Sequence, residues 1–472
     1  MMSLFLRSVA LVLFLSVSVM GQYARVEAFK MDFSGGGARA EGMGKAFLGV
    51  SDDNTAGSWN PAGLYGLEKP IISLSWGSLM PRGETFSTQA IVDDLTLSHD
   101  GSFGAVSSIN FVSPIRIKGH PFVGSFSYTR NAEEYETYNL SNEFWSLRRH
   151  YIGGGEQYVE DSALYQNCSE SELWGGLASV SFSAGTRVYN NVSVGVAVNI
   201  FMGTAVRDER TFSNCDSVVD FFTLQNVKDS YSTQVLDSNK FSGFNFTIGA
   251  KYSGEKFDIG GVIRTPFSLN VKTGKSIYKI HSINDLSINE GTDTTYYDDI
   301  MIKYDVPWII GLGVAYRASD RLLLAADGIY RAFGNSKINI RDSVFLDPGG
   351  ENTEFFTEFD PEWYSVIDLR CGGEYMMETG IGKVPVRAGL GFSPLIRPAS
   401  DIDINYNREK HNTYSYSLSL GTGIWWEQIH LDCAYTYSFY DFTTDYIGNR
   451  GIESFDLKKK DHHFNLMFTG YF

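Results

Sequence analysis

The stretch Val192–Met202 reads VSVGVAVNIFM, and its zigzag recurs along most of the chain. Successive side chains of a strand point to opposite faces. Val192, Val194, Val196, Val198, Ile200 and Met202 therefore share one side, and Ser193, Gly195, Ala197, Asn199 and Phe201 the other. In Tyr414–Ile424 the second face is Ser415, Ser417, Ser419, Gly421 and Gly423. Leu431, Cys433, Tyr435, Tyr437 and Phe439 likewise alternate with Asp432, Ala434, Thr436 and Ser438. A period of two repeated this often, with 48 glycines, 12 prolines and 14% aromatic residues, predicts an all-β fold of many strands joined by turns.

Soluble sandwiches alternate too, so the solvent on the greasy side is decided by other features. The alternating runs are about nine to twelve residues long, the length that crosses a bilayer at a tilt, whereas soluble strands average about five or six. Connection lengths also alternate. Short turns follow Phe182, Tyr252, Tyr316, Tyr375 and Trp426, and polar connections at about 131–172, 207–240, 267–303, 334–363, 395–412 and 441–461 lie between them as long loops. That asymmetry is characteristic of outer-membrane barrels. The chain ends in HFNLMFTGYF, with Phe464, Leu466, Phe468 and Phe472 on one face. A last strand of this kind closes against the first and leaves no open edge for lipid to meet.

The pattern predicts fourteen strands, near 71–80, 104–115, 120–130, 173–186, 192–206, 241–253, 256–266, 304–317, 320–333, 364–376, 384–394, 413–425, 429–440 and 462–472. An even count puts both barrel ends on the short-turn, periplasmic side. The expected division is a signal peptide at 1–28, a plug at 29–69 and a barrel at 70–472. The apolar run from Val9 to Val19 behind Arg7 marks the signal peptide, with cleavage after Gly21 or Ala28. The plug is inferred because a barrel of this size encloses an aqueous lumen unless something fills it, and irregular polar backbone cannot face lipid.

The plug carries the most specific residues. Its sequence GARAEGMGKAFLGVSDDNTAGSWNPAGL (Gly37–Leu64) resembles the N-terminal hatch of the FadL/TodX transporters of long-chain fatty acids and hydrocarbons. The matching positions are Gly42, Gly44, Asp52, Asp53, Asn60, Pro61 and Ala62. NFVSPI (Asn110–Ile115), Val306–Tyr330 and Val384–Pro394 resemble later strands of that family. The resemblance implies a hatch-plugged fourteen-stranded barrel in the bacterial outer membrane that passively admits hydrophobic compounds. The same barrel type also resembles PorV-like partners of a secretion machine, which implies a protein partner at the outer loops. The aromatic, acidic segment Phe345–Tyr364 fits such a contact surface.

Carrying the alternation inward places Asp258, Arg264, Asp368, Arg370, Glu374, Arg387 and Asp432 on the lumen side. They read either as a structural charge ladder or as arginines that hold a substrate carboxylate. Cys168 and Cys215 sit in polar, loop-like stretches of an exported chain and could form a disulfide, whereas Cys371 and Cys433 read as packing residues.

A formal charge of −16 disfavours a nucleic-acid partner. Gly44-Lys45 has Arg39 and Ala46 where a phosphate loop needs glycine and Ser/Thr, and Gly274-Lys275-Ser276 has Leu269 at its first position. His462 and His463, adjacent in a strand, point to opposite faces and cannot share a metal. No nucleophile elbow is present. The chain reads as a non-enzyme without cofactor or metal.

Overall fold

The computed structural model describes residues 33–89, 92–100, 103–151, 158–220, 225–283, 288–344, 353–402, 407–448 and 451–472. The expected signal peptide and the first residues of the expected hatch lie outside them.

Residues 33–70 form an irregular N-terminal segment with two short helices, α1 (Ala38–Gly42) and α2 (Ala56–Trp59), and a 3-10 turn over Pro61–Gly66. The strands follow. They are β1 (Ile71–Gln89), β2 (Val92–Asp100), β3 (Phe103–Ile117), β4 (His120–Tyr151), β5 (Tyr158–Tyr189), β6 (Val192–Asp220), β7 (Gln225–Ser253), β8 (Phe257–Arg264), β9 (Phe267–Ile283), β10 (Ile288–Val306) and β11 (Ile309–Ser319). The chain continues through β12 (Leu322–Arg331), β13 (Ile338–Val344), β14 (Thr353–Phe359), β15 (Val366–Thr379), β16 (Gly382–Pro394), β17 (Ala399–Ile402), β18 (Arg408–His411), β19 (Tyr414–Trp425), β20 (Ile429–Gly448) and β21 (Gly451–Tyr471).

Nineteen of these strands share one antiparallel sheet, and β17–β18 form a separate pair. The sheet closes as a barrel of fourteen strands. β1 pairs with β3 on one edge and with β21 on the other, from Ile71↔Tyr471 upward. The closing strand turns Phe464, Leu466, Phe468 and Phe472 outward, as its alternation requires.

The solvent assignment follows from exposure. In β6, Val196, Val198, Ile200 and Met202 face out while Ser193, Ala197 and Asn199 are buried inside. In β19, Tyr414, Tyr416, Leu418 and Leu420 face out and Ser415 and Ser419 face in. An outer belt of Leu, Ile, Val and aromatic side chains around a ring with no open edge is the surface of a membrane-spanning barrel. Tyr189, Tyr252, Phe257 and Trp426 stand exposed near the short turns, where aromatic rings meet the lipid–water boundary. Cys371 is on this outer face rather than packed inside, and Cys433 is half-buried.

The long polar connections are not irregular loops. β4 and β5 are 32 residues each, and β6 and β7 are 29. About ten residues suffice to cross hydrocarbon, so the rest of each pair continues beyond the membrane as paired ribbon, which neighbouring strands extend into a wider sheet. β4 and β5 pair from Val123↔Gly185 to Tyr151↔Tyr158. The polar composition rules out lipid contact but not pairing, because a strand needs only a partner for its backbone groups. Cys168 and Cys215 have backbones within these ribbons, but their side chains lie outside the described residues, so the expected disulfide falls outside them too.

Candidate functional site

The N-terminal segment is walled by the barrel on every side. Its residues Ala38, Ala40, Met43, Ala46, Phe47, Trp59, Ala62 and Leu64 are almost fully buried. Its polar partners come from strands around the ring. Asn54 meets Ser73 on β1, Ser183 on β5 donates to the Gly57 carbonyl at 3.1 Å, Arg370 on β15 donates to Ser34 at 2.8 Å, and Asn465 on β21 donates to Glu41 at 3.0 Å.

Asn60-Pro61-Ala62 begins the 3-10 turn, with Pro61 at its first position, where a missing N–H does no harm. The Asn60 amide oxygen accepts from Ala62 N at 3.1 Å, capping the turn. Its amide nitrogen donates to the Leu48 carbonyl within the segment at 3.2 Å and to the Ala250 carbonyl of β7 at 3.1 Å. So close an approach needs bare wall. A Cβ at Gly249 would lie 2.2 Å from the Asn60 side-chain oxygen, and one at Gly260 would lie 2.0 Å from the Leu48 carbonyl oxygen.

A chain of alternating charges ties α1 to the wall near the short-turn end. Arg39 meets Asp52 at 2.5 Å and donates twice to Glu374 at 2.9 Å; Glu374 also accepts from Arg387 at 2.6 Å, and Arg387 donates to Asp432 at 2.7 Å. Both guanidinium groups lie about 5.5 Å from the Trp425 ring, whose N–H donates to Asp432 at 3.0 Å. Burial opposes the charge on Arg39, but Asp52, Glu374 and Asp53 outweigh it and hold Arg39 protonated well above its usual range. Burial raises Asp53, against the pull of Arg39 and with the push of Asp52. Burial also works against the Glu41 carboxylate, yet His463, Lys45 and Asn465 overcome it and hold Glu41 below its usual value.

Higher in the lumen, Asp327 on β12 accepts from the backbone N–H groups of Phe47 at 2.6 Å and Leu48 at 2.8 Å. Asp368 accepts from Arg331 at 2.7 Å and stands 3.6 Å from Arg370. Asp258 takes both arms of Arg317, at 3.0 and 2.5 Å, with Lys251 3.7 Å away. Arg264 donates to the Ser58 carbonyl at 3.4 Å.

Above the segment the lumen has two unlike sides. Over β5–β13 it is apolar, with Leu173, Leu177, Phe201, Phe241, Leu269, Val271, Val306, Phe333, Ile338 and Trp363 in one buried cluster. Phe33, from the start of the segment, reaches into it, with ring centres 5.1 Å from Phe201 and 5.5 Å from Phe267, which stack on each other at 4.8 Å. Over β15–β20 lies a cavity of about 130 Å³ whose lining mixes Lys45, Arg331, Arg370, Arg397 and the hydroxyls of Ser415, Ser417, Ser419, Thr436 and Ser438 with Phe392, Pro394, Leu395, Ile396 and Tyr440.

Among the described residues the wall has a seam beside the apolar side. Pairing of β3 with β4 runs from Ile117↔His120 to Ser108↔Thr129 and ends. β4 next pairs on that edge with β2, at Thr137↔Asp100. Between these points, among the described residues, no ladder pairs Phe103–Ser107 of β3 with residues 131–136 of β4. Bulges flank it. The β3 register shifts against β1 at Ser107, and the β4 register shifts against β5 between Arg130 and Ala132. Gly36 touches both margins, since a Cβ there would lie 3.2 Å from Thr129 and 3.3 Å from Ser108. Leu177, part of the apolar cluster, pairs with Ala132.

The fold recurs in solved structures. A FadL homologue of Pseudomonas aeruginosa matches with a TM-score of 0.55 at 16% identity, covering 92% of this chain and 98% of its own. The toluene transporter TodX of P. putida matches with a TM-score of 0.55 at 11% identity, covering 93% and 99%. The toluene transporter TbuX of Ralstonia pickettii matches with a TM-score of 0.52 at 13% identity, covering 94% and 100%. The fold is that of the FadL and TodX channels. A family model described as BamG matches residues 156–348. None of the curated protein sequences compared matches this chain.

Within the FadL-type barrel, all seven charges expected on the inner face are buried: Asp258, Arg264, Asp368, Arg370, Glu374, Arg387 and Asp432. The structure joins Glu374, Arg387 and Asp432 in one network and pairs Arg370 with Asp368, while Asp258 and Arg264 stand apart from both. Among the hatch-motif residues, Asp52 and Asp53 flank Arg39, Asn60-Pro61-Ala62 build the capped turn, and Gly42 and Gly44 let α1 approach Gly421 and Leu390. The sequence reading missed Arg39, Lys251, Asp327 and Arg331. Parity alone points to the last two, since Leu323, Ala325, Asp327, Ile329 and Arg331 occupy one face of β12.

Proposed function

We propose that the protein is an outer-membrane channel for passive uptake of hydrophobic compounds such as long-chain fatty acids, with residues 29–69 acting as its hatch. The observation that carries the reading is the apolar cluster on the inward face. Inward positions of a water-filled barrel need no aromatic rings, yet Phe201 and Phe267 stack there in one cluster with Phe241, and the cluster extends through Leu177 to the seam. Such a surface gives a poorly soluble molecule a continuous apolar path. Phe33 packs on the aromatic cluster and Gly36, three residues on, touches the seam, so ligand entry is coupled to displacement of the Phe33–Gly37 stretch, and release is sideways between β3 and β4. Native mass spectrometry of gently purified protein should find a lipid-like ligand. Detergent-solubilised protein incubated with oleate, or separately with toluene, should bind at least one of them, and Phe201→Asp should abolish that binding. Empty protein that binds neither, with unchanged growth on hydrophobic carbon sources after deletion, would remove the reading.

A second reading, a protein-binding barrel, is favoured by the ribbons. They extend far beyond what membrane crossing demands. Pull-down from solubilised membranes should then recover a stoichiometric partner.

A further inference from the structure

On their outward face, β16, β19, β20 and β21 carry a run of aromatic rings in contact. Phe392 of β16 packs on Tyr416 of β19 with ring centres 5.6 Å apart, Tyr416 stacks on Phe439 of β20 at 5.6 Å, and Phe439 stacks on Tyr437 at 5.5 Å. Tyr437 meets the His462 ring of β21 at 5.0 Å, and the Tyr435 hydroxyl bonds His462 Nδ1 at 2.7 Å. About ten residues cross hydrocarbon. On β20 that span begins at Ile429, beside the short turn, and ends near Phe439. The rings therefore lie at the upper boundary of the apolar belt, on the side of the long strands. The face continues upward on β21 with Lys460, opposite Phe439, and then Lys458. Both lysines are exposed, on the same face as Phe464 and Leu466. Asp441 stands opposite Lys458, yet among the described residues neither lysine is in an ion pair.

We infer that this patch binds a phosphorylated glycolipid of the outer leaflet, with its phosphate on Lys460 and Lys458 and its acyl chains along the rings. The site is on the outside of the wall and stands whatever the lumen carries. Rings with a polar edge settle at a lipid–water boundary. Scattered rings are enough for that, whereas here they touch from strand to strand and form a continuous platform. The patch is local: at a similar height on β6 and β7 the outward positions are Thr204 and Ser242. Charge points the same way. The chain carries a formal charge of −16, so its overall field repels an anionic lipid and only local cations can hold one. A lysine at this height lays its stem along the apolar belt and keeps its ammonium at headgroup level, where a phosphate oxygen accepts a charge-assisted bond. A free phosphate would leave the rings without an acyl chain to meet. A soluble protein segment fits less well, because the rings below Lys460 face hydrocarbon rather than water.

The test takes the full chain from the outer membrane in mild detergent and uses lipid A and its dephosphorylated form as probes in native mass spectrometry. The parent should retain lipid A. Lys458→Gln/Lys460→Gln should cut that retention roughly tenfold or more, since each basic group at an anionic lipid surface contributes about a factor of five. Tyr437→Ala/Phe439→Ala should lower it roughly threefold or more through lost apolar contact. Heat-modifiability on gels should stay that of the parent in both. The parent should hold dephosphorylated lipid A no better than the lysine variant holds lipid A. Lys240→Gln, on β7 where the outward neighbours Thr204 and Ser242 carry no ring, should change nothing. Equal retention of the two probes, an unchanged double variant of either kind, or an equal loss from Lys240→Gln would overturn the site. In the native membrane, p-benzoylphenylalanine at Phe439 should give an adduct with lipid A on irradiation. An adduct with a protein instead would make the patch a protein interface and overturn the lipid site.

Discussion

The two sides of the lumen are built by the same alternation and differ only in what it points inward. Over β5–β13 the inward positions carry Phe201, Phe241 and Leu269; over β15–β20 they carry Arg370, Ser415, Ser419 and Asp432. On the charged side each ion meets a counter-ion or a backbone group of the N-terminal segment, so the charges fasten the segment to the wall. On the apolar side the segment's contact with the aromatic cluster is the Phe33 ring, which carries no charge and forms no directional bond, although elsewhere the same strands bond the segment through Ser183, Ala250, Lys251, Arg264 and Asp327. Removing a buried ion leaves its partner unsolvated, whereas moving one ring opens apolar space at modest loss. The difference makes one side an anchor and the other a passage.

The largest effect should follow from breaking the anchor. Arg387→Ala leaves Glu374 and Asp432 buried without the guanidinium between them, and should destabilise by about 3–5 kcal/mol. The readout is the midpoint for conversion of the folded to the unfolded band on gels. Arg387→Lys should recover only part of the loss, because one ammonium cannot hold both carboxylates with a planar fork. If Arg387→Ala unfolds with the parent, the network is not an anchor.

A second change sharpens the contrast between the sides. Leu269→Asn puts an amide into the apolar cluster and should weaken binding of an apolar solute by about 1–3 kcal/mol, roughly tenfold or more. Ser419→Ala on the polar side should leave that binding unchanged. Equal losses from both would erase the division.

How much of this could be read beforehand depends on what carries the information. The exterior was legible because lipid tests every outward position alike, so Val196, Val198 and Ile200 repeat without exception. Inward charges on the barrel strands were legible by parity, as Glu374 and Arg387 show. Partners within the lumen were not. Arg39 and Glu374 are 335 residues apart, and no local pattern records that they meet. Phe201 was visible as an inward residue, but its value lies in stacking on Phe267, a contact fixed only when the ring of strands closes. The ribbons are not legible from polar composition, because pairing depends on main-chain groups rather than side-chain polarity.

The third prediction tests the fastening at the floor of the hatch. Asn60→Asp keeps the oxygen that accepts from Ala62 N but replaces the donor to the Leu48 and Ala250 carbonyls with a second acceptor. Two buried carbonyls then lose their partner beside a repelling oxygen, at a cost of about 1–3 kcal/mol. Protease cleavage at Lys45 in intact barrels should accelerate, while the barrel band itself stays folded.

The smallest effect is expected from Glu41, and its sign is fixed by linkage. Its carboxyl is held below its usual value because, although burial favours the neutral form, His463, Lys45 and Asn465 favour the charged one more. The folded state then binds the proton less tightly than the unfolded chain, in which glutamate titrates near about 4.3. The ionised group therefore contributes its full stability above that pH and loses it as the pH falls through the lowered folded value. Glu41→Gln lacks this contribution at every pH. The variant should thus be less stable than the parent at about pH 5 and above, with a gap that narrows below about pH 4. Asp53 runs the other way, since its raised value means that stability is lost as the pH rises, so the comparison must be made between Glu41→Gln and its parent rather than on the parent's curve alone. A gap that widens in acid would show that Glu41 is held neutral in the folded hatch, and the fastening of α1 to β21 would then rest on the Asn465 amide alone.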